Sequence, residues 1–143
     1  MDTQNQKLPR GLRNNNPLNI RHNPANKWQG RTDEQTDPAF VQFKTLQWGF
    51  RAAIRIITNW LKTSKARTPE DIIKKWAPPS ENNTATYVKK ACSLAELQPH
   101  STIKPDDKRK ICKLVRGMAI VENGVEYTHM FPLSLISYSY DLL

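Results

Sequence analysis

Glu122 stands where a carboxyl group could act as an acid catalyst. It closes a predicted helix and follows the apolar run 118–121, Met-Ala-Ile-Val. Apolar surroundings and the C-terminal end of a helix dipole both disfavour a carboxylate anion. We therefore expect a raised pKa at Glu122, which suits a general acid. The alternative interpretation is a glutamate that frays into water at the end of the helix.

Two other acidic positions are candidates for the same chemistry. Glu81 lies in the proline-rich turn 77–84 before a predicted helix, where its simpler role is a favourable charge at a helix start. Asp37, with Asp33 and Glu34 nearby, could supply the second carboxylate that hydrolysis of a glycosidic bond requires. A solvated acidic loop is the alternative for this group.

An asparagine-rich turn precedes Pro17, and the residue before a proline is pushed out of the helical region. Leu18 and Ile20 then alternate with polar residues, which predicts a half-buried strand. Such a density of amides suits a polar, uncharged ligand such as a sugar, although an asparagine-capped turn before an edge strand is the alternative. The predicted sugar-binding residues are amides and one aromatic ring: Asn14, Asn15, Asn16, Asn19, Asn82, Asn83 and Trp28.

The elements that would position these residues combine a small sheet with several helices. Phe40 to Phe43 alternates and pairs in our prediction with the strand that ends at Arg21. Helical periodicity begins at Leu46, and further helices are predicted after Thr68, after the capping stretch 77–84 and from Pro105 to Val121. These patterns predict an α+β fold, mostly helical, with one small antiparallel sheet.

Chain length and net charge restrict the domain organisation and the possible partners further. The 143 residues predict a flexible N-terminal arm (1–9) and a single domain (10–143), which we expect to be monomeric. No signal peptide and no membrane-spanning run is apparent, and no metal or cofactor motif is present. The net charge of +9 favours an anionic partner, but the basic residues are scattered, which argues against nucleic acid.

Several blocks of the chain together resemble a known family. They are Arg13 to Arg21, Trp28-Gln29-Gly30, Phe40 to Phe43 with Gly49-Phe50, and Trp76 to Val88. Across roughly residues 9–125 they are similar to small phage and prophage virion structural proteins of lysozyme-like character. More distantly, the same block order resembles peptidoglycan N-acetylglucosaminidases and lytic transglycosylases of the lysozyme superfamily.

The resemblance implies a lysozyme-like domain that cleaves peptidoglycan glycan strands. In those enzymes the catalytic glutamate precedes the strand block, whereas here a helix ending at Glu122 follows it. Our hypothesis is a circular permutation, with Glu122 as the first catalytic candidate and Glu81 as the second. Tyr87 matches the second tyrosine of the glucosaminidase-like segment, which makes it a further catalytic-site candidate that would stack on or position the sugar.

The resemblance leaves the activity open. The bond cleaved, and the choice between hydrolysis and transglycosylation, remain undecided. A catalytically inactive virion structural or cell-wall-binding protein is the main alternative, and a nucleic-acid-binding protein the weaker one. Beyond peptidoglycan, partners would be other virion or secretion proteins. The expected location is the virion, or the cytoplasm until release to the cell envelope.

Overall fold

The computed structural model describes residues 8–80 and 82–143. Most of the predicted N-terminal arm, and Glu81, lie outside these residues. The helices follow one another as α1 (Arg10–Arg13), α2 (Leu46–Lys62), α3 (Pro69–Trp76), α4 (Thr84–Ala95), α5 (Lys108–Asn123), a 3-10 helix (Val125–Met130) and α6 (Leu133–Asp141). No helix among the described residues is long and apolar enough to span a membrane.

The predicted α+β fold with a small antiparallel sheet is wrong. The described residues are organised as helices and connecting segments and contain no strand. The two segments expected to pair meet at one isolated antiparallel bridge, between Arg21 and Phe40, and a second isolated bridge joins Phe43 to Arg31, outside the predicted first strand.

The ladder stops after two backbone hydrogen bonds, from His22 to Ala39 and from Val41 to Ile20, because the first segment is not extended before Ile20 and a side chain is the next partner. Asn15 and Asn19 have φ values of 52° and 55°, in the left-handed region that interrupts a strand. The Asn16 amide donates to the carbonyls of Ile20 and Val41, both at 2.9 Å, and accepts from the Ile20 N–H. The alternation of apolar residues therefore predicted their burial correctly and the sheet wrongly.

Helix α2 forms the centre of the core. Its apolar residues recur at helical spacing, and Phe50, Ile54 and Ile57 are fully buried. It packs against α6 and α5, and Phe131 meets the Phe50 ring edge-on with centroids 5.8 Å apart. The predicted helix from Leu46 is confirmed here.

Helices α3 and α4 begin where their capping residues predict. Thr68 and Asp71 form a reciprocal capping box around Pro69 at the start of α3. The Asn83 side chain accepts from the Thr86 N–H and caps α4.

Helices α4 and α5 run against each other at very short range. A side chain at Gly117 would come within 2.5 Å of the Ala91 carbonyl oxygen, so only glycine permits this approach. Cys92 and Cys112, on the same two helices, are buried free thiols. The close contact brings Tyr87, near the start of α4, to the end of α5, where Glu122 lies.

Candidate active site

Glu122 occupies the last turn of α5, and its side chain is only partly exposed. The helix ends at Asn123, and Gly124 follows with φ 114°, a conformation that favours glycine. The carboxyl group therefore lies at the negative end of a sixteen-residue helix.

Two side chains from distant parts of the chain donate to this carboxyl group. The Asn19 Nδ2 donates to Oε1 at 2.8 Å, and the Tyr87 hydroxyl donates to Oε2 at 2.9 Å. Asn19 belongs to the asparagine-rich turn and is 103 residues away in sequence, whereas Tyr87 is 35 residues away. Each carboxyl oxygen thus has one fixed donor.

Burial and hydrogen bonding act in opposite directions on the pKa of Glu122. Burial raises the pKa of Glu122, while the hydrogen bonds from Asn19 and Tyr87 lower it, and the net shift is upward. Burial and the neighbouring Glu122 charge raise the pKa of Tyr87 well above its ordinary value. Tyr87 is therefore a neutral O–H donor at physiological pH.

The remaining asparagines of the turn are bonded within the protein. Asn14 and Asn16 are buried, and Asn14 donates to Asp37 at 2.9 Å and accepts from Gln42. The Asn15 amide donates to the carbonyls of Phe43 and Lys44. Of the four predicted amides in this turn, the structure brings only Asn19 to Glu122.

Asp37 belongs to a separate ionic cluster. Its oxygens accept from the Arg10 guanidinium at 2.6 and 2.7 Å, from Asn14, and from the N–H groups of Ala39 and Phe40. The Arg10 hydrogen bonds, helped by those backbone donors, hold the pKa of Asp37 far below its usual range. Its hydrogen bonds do not connect it to Glu122.

The other predicted residues lie elsewhere or outside the described residues. Asn82 and Asn83 are exposed in the turn before α4, and Glu81 between Ser80 and Asn82 is not described. Trp28 packs on the core with its indole N–H buried and unpaired within the described chain. Among the described residues, Asn82, Asn83 and Trp28 form no hydrogen bond with the Glu122 carboxyl.

A groove of about 680 Å³ runs along the outer surfaces of α4 and α5. Its lining includes Lys89, Lys90 and Val125, but not the Glu122 carboxyl group. No cluster of three potential ligands that could hold a metal ion occurs in the described part of the chain.

Sequence analysis did not place Trp76 and Asn123 at this site. Asn123 directly follows Glu122 and is buried, and its amide donates to the Pro17 carbonyl at 2.8 Å. The Trp76 indole donates to the Leu18 carbonyl at 2.9 Å. The position of Asn123 directly after the candidate acid was the available sequence signal for it, and the signal for Trp76 was its place at the start of the block Trp76 to Val88.

No family model matches the chain. It is 41% identical over 124 residues to Protein P5 of Pseudoalteromonas phage PM2, and the match covers 85% of this chain and 76% of Protein P5. The chain belongs to the Protein P5 family. Membership confirms the resemblance to phage proteins that the sequence analysis drew. It shows neither a lysozyme-like family nor cleavage of the cell wall.

Proposed function

We propose that this member of the Protein P5 family cleaves the glycan strands of peptidoglycan, with Glu122 as the general acid. One observation carries the proposal: a partly buried carboxyl group with a raised pKa, held between the donors of Asn19 and Tyr87. A carboxyl group whose pKa is raised by burial, kept in one orientation, is suited to the protonation of a glycosidic oxygen.

The two donors would act differently before and after proton transfer. The protonated Glu122 gives its proton to the leaving oxygen while the glycosidic bond breaks. Its carboxylate then accepts from both Asn19 and Tyr87, and hydrogen bonds to an ionised group are stronger than those to a neutral one. The same contacts that orient the acid therefore stabilise it more after the reaction than before.

The arrangement favours closure by the sugar's own hydroxyl over attack by water. Asp37, the predicted second carboxylate, is already bonded to Arg10 and Asn14 and has a strongly lowered pKa. With Glu122 as the acid, its carboxylate can take the proton of a sugar hydroxyl as that oxygen bonds to the anomeric carbon. The acid is then restored without a water molecule, which is a lytic transglycosylase reaction.

The net charge of +9 supports an envelope substrate, because a basic chain is attracted to anionic wall polymers. Delivery within a virion, beside other virion proteins, would be consistent with membership of a phage family.

A virion protein without catalytic activity is the second candidate. The family relationship favours it, because the similarity is to a phage protein and brings no activity with it. Such a protein would retain the Asn19–Glu122–Tyr87 contacts as a structural link between the turn and the two helices.

Turbidity loss of purified peptidoglycan, with mass analysis of the products, separates the candidates. Glu122→Gln is expected to lower the rate by about 10²- to 10⁴-fold, the usual contribution of a general acid. Glu126→Gln is the matched control, because Glu126 is exposed in the 3-10 helix four positions away. Anhydro sugar ends would identify transglycosylation, and reducing ends hydrolysis.

Two results would contradict the proposal. Loss of activity in Glu81→Gln with full activity in Glu122→Gln would move the acid to the turn before α4. Binding of peptidoglycan by the wild type without any cleavage would support the structural candidate.

A further inference from the structure

The turn that carries Asn19 is held by side chains from two other parts of the chain. The Asn123 amide, at the end of α5, donates to the Pro17 carbonyl at 2.8 Å. The Trp76 indole, at the end of α3, donates to the Leu18 carbonyl at 2.9 Å. Two consecutive carbonyls immediately before Asn19 are thus fixed by side-chain donors.

This turn has buried carbonyl groups that require such support. Asn19 has φ 55°, a left-handed backbone that is uncommon for residues with a side chain but that asparagine adopts more readily than most. Leu18 is fully buried, so carbonyl groups at this point must find partners within the protein. Local hydrogen bonds from the Asn19 N–H to the Asn16 carbonyl and between Asn16 and Ile20 help to close the turn, but they leave the Pro17 and Leu18 carbonyls to the two donors.

We propose that Trp76 and Asn123 are positioning residues of the Glu122 site. They hold the turn from which the Asn19 amide reaches the acid, and so fix the distance and direction of that donor. Their role in catalysis rests on the proposed function, whereas their effect on the Glu122 carboxyl group does not.

The unpaired amide oxygens support this assignment. Asn19 Oδ1 and Asn123 Oδ1 are both buried without a partner among the described residues. Both lie against Gly11, where an added side-chain carbon would be 3.0 and 2.7 Å from them. A buried, unpaired oxygen costs free energy. The hydrogen bonds of the NH₂ group on the same side chain must therefore hold each amide in this orientation. The Asn19 NH₂ group donates to Glu122, and the Asn123 NH₂ group donates to the Pro17 carbonyl in the turn.

A pair of tryptophan substitutions tests the role of Trp76. Trp76→Phe removes the donor to the Leu18 carbonyl and retains an aromatic ring at the position. Trp60→Phe is the matched control, because the Trp60 ring meets the Trp76 ring edge-on with centroids 5.9 Å apart. Trp60 donates no hydrogen bond to this turn in the described chain.

The measurement is the NMR titration of the Glu122 carboxyl carbon, which needs no enzymatic activity. The Asn19 hydrogen bond lowers the pKa of Glu122, so loosening the turn in Trp76→Phe should raise that pKa further. Asn123→Ala should shift it in the same direction, and Trp60→Phe should leave it unchanged. In the peptidoglycan assay we expect a loss of about 10- to 100-fold in kcat in the first two variants.

An unchanged Glu122 titration in both Trp76→Phe and Asn123→Ala would overturn the proposal. An equal shift in Trp60→Phe would also overturn it, because the effect would then come from general loosening of the core. Dispersed spectra for each variant serve as the check of folding. If the titration shifts as expected but the wild type cleaves no glycan, the positioning role of Trp76 and Asn123 is supported and the proposed function is contradicted.

Discussion

Replacing Asp37 with asparagine would separate a structural role from a catalytic one. Asp37 is 8% exposed in its side chain and accepts from Arg10, from the Asn14 amide and from the N–H groups of Ala39 and Phe40. An asparagine can retain the two backbone contacts through its Oδ1. Its own NH₂ group, however, would face the NH₂ group of Asn14, and the charge that attracts Arg10 would be absent.

The expected loss follows from these contacts. A hydrogen bond to a charged, largely buried group contributes about 1.5–3 kcal/mol, and the facing NH₂ groups leave a donor unpaired. The Arg10 side chain is 44% exposed, so its ion pair is expected to add little. We expect Asp37→Asn to lower the free energy of unfolding by about 2–3 kcal/mol. For a chain of this length that corresponds to about 6–12 °C in Tm.

The difference should depend on pH in a defined direction. The pKa of Asp37 is lowered from its ordinary value of 3.8, chiefly by Arg10, so its contribution to stability is present above that value. As the pH falls below about 4, the unfolded chain takes up a proton that the folded chain resists, and the contribution decreases. Wild type and Asp37→Asn should therefore converge in stability at low pH. Urea unfolding at pH 7 and near pH 3 measures both values.

Asp33→Asn provides the control, because it makes the same chemical change in the same loop at an exposed residue. It should leave Tm and glycan cleavage unchanged. Equal stability of Asp37→Asn and wild type at pH 7 would refute the structural argument. A folded Asp37→Asn variant that is as inactive as Glu122→Gln would refute the assignment of a single catalytic carboxyl group.

Three further predictions follow from the site and the helix pair beside it. Glu122→Gln should raise the free energy of unfolding at pH 7 by about 1 kcal/mol, because it removes a desolvated charge while the Tyr87 hydroxyl can rotate to accept from the new NH₂ group; thermal unfolding measures this, and a large loss would contradict it. Tyr87→Phe removes a donor that lowers the pKa of Glu122, so the carboxyl titration should move to higher pH, and a downward shift would contradict the geometry. Gly117→Ala should cost about 1–3 kcal/mol by pushing against the Ala91 carbonyl, which urea unfolding measures; an unchanged stability would show that α4 and α5 can separate freely.

The helices were predictable because their signals are local. The buried stripe of α2 recurs at helical spacing, and the capping box around Pro69 needs only four neighbouring residues. The sheet was wrongly predicted because alternation reports burial and not the hydrogen-bond partner. That partner proved to be the Asn16 side chain, 25 residues from the Val41 carbonyl it binds.

The site was only partly accessible to the same reasoning. The end of an apolar helix marked Glu122, and burial is indeed the first cause of its raised pKa. Its contacts with Asn19 and Tyr87 join positions 103 and 35 residues apart, and no local pattern specifies such a meeting. The approach of Gly117 to Ala91 that permits the second contact is equally non-local.

The failed sheet and the candidate site have one physical origin in the asparagine-rich turn. An extended strand would have repeated its hydrogen bonds along the backbone and pointed successive side chains to opposite faces. Here the left-handed Asn15 and Asn19 break that repeat, and the Asn16 amide replaces the missing ladder contacts. The turn is thereby free to direct the Asn19 amide toward Glu122. Loss of the Asn16 side-chain hydrogen bonds should therefore disturb the Glu122 site as well as the fold, since the same backbone supports both.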